Sequence, residues 1–141
     1  MRVFLDSSAF LKHYIDESGS DRVRDCLREA GELVLSVVAW PEMISALNRL
    51  RRDGALDDDA YSRVKPQIEE DFTNATVVAL SGPILDTTVR CLEASALRAS
   101  DAIHVASAVE AGVDRFVSAD RQQCEAARAM GLTVEEVPSG A

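Results

Sequence analysis

The chain is short of several things, and each shortage excludes a class of protein. No apolar run reaches the about 18 residues that a bilayer-spanning helix needs, so no membrane span is expected. No Cys-x-x-Cys pair occurs. The three cysteines, Cys26, Cys91 and Cys124, are odd in number and far apart, which argues against both a disulfide framework and a thiolate–zinc site. They read as buried thiols in a reducing compartment. Histidine is confined to His13 and His104, too few for a histidine-rich zinc centre. Aromatics make up 5% of residues, so a core must rely on Leu, Val, Ile and Ala. Positive charge is scarce: 15 Lys and Arg stand against 24 Asp and Glu, a net of −9. That balance excludes passive nucleic-acid binding through a basic surface. It leaves a nuclease open, because acids gathered around a cation invert the local electrostatics. The opening MRVFLDSSAFLKHYIDE puts an aspartate where a signal peptide would be apolar, so no secretory leader is expected and the cytoplasm is the expected location.

What is present is a regular alternation. Short apolar strands are expected at Arg2–Asp6, Glu32–Ser36, Thr76–Leu80, Arg115–Ser118 and Thr133–Val137. Helices are expected between them: about Ser8–Glu17 capped by Ser7 or Ser8, Asp21–Ala30 capped by Ser20, and Val38–Arg52 with Pro41 in its first turn. Others run from Asp57 to Phe72, from Pro83 to Ala96, from a Ser100 cap to Gly112, and from Asp120 to near Gly131. This pattern predicts an α/β domain whose parallel sheet is covered on both faces. A single domain is expected over 1–137, with 138–141 a disordered tail.

Acids are abundant, and most read as solvated helix faces, as in Asp57–Asp59 and Glu69–Asp71. Four stand apart. Asp6 ends the first strand and Asp120 follows the fourth. Ligands bind beyond the carboxyl ends of parallel strands, so both point to one rim. Asp101 opens the helix DAIHVASAV, which is apolar on nearly every face and therefore belongs in the interior. Glu42 lies early in the helix that leaves the second strand. Taken singly, each is also readable as a cap or an exposed first-turn residue. Together they would crowd one rim, where neighbouring carboxylates repel unless a cation intervenes. All-oxygen ligation selects Mg²⁺ or Mn²⁺.

The segments LDSSAFLKHY, WPEM, LRASDAIHVASAV and VSADRQ carry a likeness. Through them the chain resembles PIN-domain ribonucleases, in particular the VapC toxins of prokaryotic toxin–antitoxin pairs, over essentially its whole length. The resemblance implies a three-layer α/β/α sandwich with a parallel five-stranded sheet. It implies a Mg²⁺- or Mn²⁺-dependent endoribonuclease that hydrolyses RNA phosphodiester bonds through a metal-activated water, leaving 5′-phosphate and 3′-hydroxyl ends. It also implies a homodimer and a cognate VapB-type antitoxin laid over the acidic site. Asp6, Asp101 and Asp120 are the expected metal ligands, and Glu42 joins them or orients a water, making four catalytic candidates. Ser7 and Ser118 are candidates to support these ligands; Arg98 and Arg121 are candidates to contact phosphate. His104 reads as a satisfied core histidine, and Lys12 and His13 as exposed.

Three other readings compete, the plainest being an acidic α/β interaction domain in which the acids only cap helices. A phosphotransferase with an aspartate nucleophile also begins with a strand-end acid, but it needs a second acid two residues on, where Ser8 stands. A catalytically silent module of the same fold, binding RNA or protein, would not need all four acids.

Overall fold

A computed structural model describes residues 1–140; of the expected tail, Ala141 lies outside the described residues. The five strands are β1 (Arg2–Leu5), β2 (Glu32–Ser36), β3 (Thr76–Val78), β4 (Arg115–Ser118) and β5 (Val134–Glu136). All neighbours pair in parallel, in the order β3-β2-β1-β4-β5. Seven helices connect them: α1 (Ser7–Tyr14), α2 (Ser20–Glu29), α3 (Ala39–Arg52), α4 (Asp58–Asn74), α5 (Gly82–Ala94), α6 (Ala99–Ala111) and α7 (Arg121–Ala129).

Alternation along the strands builds the three layers. Val3, Leu5, Leu35 and Val117 face one side, where they pack with Phe10, Val23, Met43, Leu47 and Ile68 from α1 to α4. Phe4, Val34 and Phe116 face the other side and meet Cys91, Ala102, Val105 and Ala126 from α5, α6 and α7. Both faces of the central strands are thus buried, which is why they read as unbroken apolar runs. Helix α6 owes its apolar surround to its position between the sheet and α5. It ends at Gly112, whose φ of 64° is the left-handed conformation that closes a helix at little cost for glycine.

The chain lays β1, β2 and β3 outward on one side, then returns to place β4 and β5 on the other. The carboxyl ends of β1 and β4 therefore flank the point where strand order reverses. Helices springing from both strands diverge there and leave a crevice.

Several boundaries differ from expectation for identifiable reasons. Helix α1 stops at Tyr14 rather than Glu17, because side chains capture the next backbone groups. The Ser20 hydroxyl bonds Ile15 O (3.2 Å) and Glu17 N (2.9 Å), and Lys12 Nζ donates to Ser18 O at 2.6 Å. Lys12 is accordingly buried, not exposed as expected. Strand β3 ends at Val78, where its partner β2 ends at Ser36. Arg98 rather than Ser100 occupies the cap position of α6, and Gly19 rather than Ser20 that of α2. The three thiols are free and buried, as expected; burial raises all of them, Cys124 up to about 12.

Candidate active site

The turn after β1 begins with Asp6, only 2% exposed. It is the N-cap of α1, accepting a hydrogen bond from Ala9 N at 2.9 Å. Ser7 and Ser8, the expected caps, have other work. Ser8 Oγ donates to Asp6 at 2.9 Å and accepts from Ala119 N at 3.2 Å. Ser118 Oγ donates to Asp6 at 2.7 Å and accepts from Asp120 N at 2.9 Å. Two hydroxyls thus bind the β4–α7 loop to the first carboxylate. Burial raises the Asp6 pKa above the ordinary carboxylate value, against the opposing pull of His104 and these hydrogen bonds.

Asp120 caps α7 and accepts from Gln123 N at 3.0 Å. Asp101 lies in the first turn of α6, with Arg98 Nε at 3.3 Å and Gln123 Nε2 at 3.2 Å. Buried Gln123 therefore spans from the helix that Asp120 starts to the carboxylate of Asp101. Glu42, in the first turn of α3, is held at one oxygen by two groups: Ser7 Oγ donates at 2.8 Å, and His104 Nε2 stands 2.5 Å away. Burial pushes the Glu42 pKa up, but His104, Ser7 and Ser100 together carry it below the ordinary value.

Asp6, Glu42, Asp101 and Asp120 all line one open cleft of about 520 Å³, with Ser7 and Arg98 beside them. Four segments far apart in sequence supply them: β1–α1, α3, α6 and β4–α7. Ser118 sits beneath the floor, fully buried. Arg121 is elsewhere: as the first residue of α7 it turns outward and pairs with Glu125, 3.6 Å away one turn on.

The cleft's chemistry suits a hard divalent cation: its acids are all-oxygen donors, and one of them is costly to ionise without positive charge nearby. Among the described residues, however, no three acidic, histidine or cysteine side chains are drawn together as a finished metal centre. Each carboxylate is instead held by its own hydrogen-bond donors, which keeps mutually repelling groups on one rim without contact.

Three contributors escape a linear reading of the chain. His104 was expected to be an ordinary core histidine, yet it anchors Glu42, while its Nδ1 is buried without a partner. Gln123 carried one signal: it stands three residues after the Asp120 cap, where a capping-box partner is common. Ser8 carried none. If His104 anchors Glu42, His104→Leu should leave burial opposed by Ser7 and Ser100 alone. The Glu42 pKa, followed by carboxyl NMR, is then expected to rise from its native value, with His104→Gln rising less. In the native protein the lowered pKa of Glu42 contributes stability above its unfolded pKa, lost as pH falls through the folded one. That contribution should shrink in the leucine variant. An unmoved Glu42 pKa would show that His104 is only packing.

This fold, with an acidic cleft at the reversal point of its sheet, has known counterparts. The sequence matches the PIN domain family over residues 3–129. It is 31% identical to ribonuclease VapC46 of Mycobacterium tuberculosis over 94% of this chain and 95% of the relative. To ribonuclease VapC49 of the same species it is 29% identical over 94% and 93%. The chain belongs to the PIN-domain family, in its VapC branch. Solved structures agree in fold. Mycobacterium tuberculosis VapC20, described as a sarcin–ricin-loop-cleaving toxin, superposes with a TM-score of 0.66 at 14% identity, covering 97% of this chain and 99% of that one. FitAcB of Neisseria gonorrhoeae gives 0.69 at 13% identity over 94% and 95%.

Proposed function

We propose that the chain is a Mg²⁺- or Mn²⁺-dependent endoribonuclease, the toxin of a toxin–antitoxin pair. The observation that carries this reading is the convergence of four carboxylates from separated segments on one cleft. Their roles follow from their surroundings. Asp6, Asp101 and Asp120 would hold the cation. When bound, it supplies charge that offsets the scissile phosphate and lowers the pKa of water. Glu42 favours its ionised form, and its bonds to Ser7 and His104 fix one oxygen. It orients the attacking water and accepts its proton. Water oxygen bonds to phosphorus as the bond to the 3′ oxygen breaks, and that oxygen takes a proton from solvent, leaving 5′-phosphate and 3′-hydroxyl ends. Ser8 and Ser118 hold Asp6 in register with the β4–α7 loop, and Gln123 does the same for Asp101. Arg98, already beside Asp101 and mostly exposed, is placed to meet a phosphate. Arg121 is left out of the mechanism because of its pairing with Glu125.

The partner is a VapB-type antitoxin that lays a basic side chain into the cleft, where a guanidinium can satisfy the same carboxylates. The VapC relatives support the ribonuclease reading through sequence; FitAcB and VapC20 share only the fold. A cytoplasmic site of action accords with three buried, free thiols. The homodimer has a candidate surface in α5, whose Leu85, Val89 and Leu92 form an exposed stripe at helical spacing. Light scattering should show a dimer that Val89→Glu converts to a monomer; an unchanged mass would remove α5 from the interface.

The deciding assay uses the purified chain free of partner, incubated with structured and single-stranded RNA in Mg²⁺, Mn²⁺ or EDTA. Cleavage with either metal and none in EDTA is expected. RNA binding without cleavage in any metal would make the chain a silent module of this fold.

A further inference from the structure

Three arginines end α3, and the fold gives them different employment. Arg51 pairs with Asp58 at 2.6 Å and lies 4.3 Å over the Tyr61 ring. Arg52 faces solvent away from the cleft. Arg49 alone of the three lines the acidic cleft, exposed. Among the described residues it forms no ion pair. Arg98, the other arginine lining the cleft, stands 3.3 Å from Asp101, at the proposed metal site itself.

Position along α3 makes Arg49 more than a stray charge. Glu42, Ala46 and Arg49 are spaced by four and three residues, so they share one face of the helix, and all three line the cleft. Two turns separate Glu42 from Arg49, about 10.5 Å of axis. Between them the cleft is lined by Met43, which is fully buried, and by Ser45 and Ala46, whose small side chains leave the floor low. A chain carrying −9 with an acidic cleft repels a polyanion unless a cation meets it there. A guanidinium stays charged at any working pH and binds phosphate oxygens in a fork.

We propose that Arg49 binds a backbone phosphate of the RNA flanking the one that is cut, so that the substrate strand runs along α3 from Glu42 towards Arg49. This inference rests on the reading of the cleft as an RNA-cutting site. Arg49 is a substrate-binding residue for whatever sequence is present, because a phosphate contact positions the strand without reading bases.

The test has a binding arm and a kinetic arm. In the binding arm, fluorescence anisotropy follows a labelled single-stranded RNA on the full chain carrying Asp6→Asn, in Mg²⁺, over about 50 to 200 mM KCl. Arg49→Gln is expected to weaken binding about five- to tenfold at the lowest salt and to make the salt dependence shallower by about 0.7, the share of one contact to a single strand. Arg49→Lys should keep the slope, and Arg52→Gln should change neither quantity. In the kinetic arm, on the otherwise native chain, Arg49→Gln should raise KM by a similar factor with kcat within about twofold. An unchanged affinity and slope in Arg49→Gln would overturn the inference, as would an equal loss in Arg52→Gln, which would signal bulk charge only. Weaker binding of the antitoxin with RNA affinity intact would also overturn it, by giving Arg49 to the protein partner. The two readings fail separately. A chain that cuts RNA with Arg49 irrelevant loses this inference alone. One that binds RNA through Arg49 yet cuts nothing loses the nuclease.

Discussion

Replacing Asp6 by Asn is expected to abolish metal-dependent RNA cleavage while leaving the fold intact, and Asp101→Asn should do the same. Groups that merely support a metal ligand typically cost about 10–100-fold when removed, so losing a ligand should exceed about 100-fold. Asparagine is chosen because it preserves what Asp6 does structurally. It is as good an N-cap as aspartate and can still accept from Ala9 N. What it loses is the charge, a burden in the metal-free protein, and the second oxygen, which accepts from Ser118. The folded pKa of Asp6 is raised. Its contribution to stability is therefore present below the unfolded pKa and lost as pH rises through the folded one. At neutral pH, metal-free Asp6→Asn should melt no lower than the native chain. Adding Mn²⁺ should raise the melting temperature of the native protein by linkage and leave the variant nearly unmoved. Cleavage that survives both substitutions would remove the carboxylates from the mechanism. A large loss of metal-free stability in Asp6→Asn would mean that the ionised form is structurally required.

The second large effect is on stability, with a consequence for the site. Phe4 in β1 is fully buried, stacks on Phe116 with centroids 5.4 Å apart, and meets the His104 ring edge-on at 6.0 Å. Phe→Ala in a core costs about 3–5 kcal/mol, and stacked rings are worth about 0.5–1.5 kcal/mol beyond their area. Against a total of about 5–15 kcal/mol, Phe4→Ala leaves a marginal protein. Its melting temperature should fall by roughly 10–15 °C. Ile68→Ala supplies the comparison: Ile68 is equally buried but lies in α4, on the opposite face of the sheet and outside the cleft lining. It should cost about 2–5 kcal/mol. The two variants part company in activity. Below both transitions, Phe4→Ala should also lower kcat, because the cavity frees His104 and through it Glu42; Ile68→Ala should not. Urea unfolding and cleavage rates on the same samples decide it. Equal kcat in the two variants would show that the aromatic cluster has no hold on the site.

How far the linear chain can be read is clear from particular residues. The apolar runs at Val3–Leu5, Leu33–Leu35 and Phe116–Val117 declare strands buried on both faces, since nothing else would tolerate so little polarity over that length. Asp6 and Asp120 declare a rim, because a parallel sheet exposes only the carboxyl ends of its strands to a ligand. The short α1 was not legible. It is cut off by Ser20 and Lys12, which reach back for backbone groups that a local reading assigns to the helix. Nor were the supports of the acids. Ser7 and His104 are 97 residues apart and meet at Glu42; Ser118 stands 112 residues from the Asp6 it binds. Arg121, adjacent in sequence to Asp120, is turned away by helical geometry.

By itself, then, the order of residues determined the architecture and pointed to the four acids that the fold brings to one cleft. Both depend on local propensity and burial, which are written along the chain at periods of two and of three to four. Only the folded molecule decided which hydroxyl, amide or imidazole grips each carboxylate, and which arginine faces the cleft. Those pairings are set by distances across the sheet, and a hydrogen bond is directional over a few ångströms where burial is not.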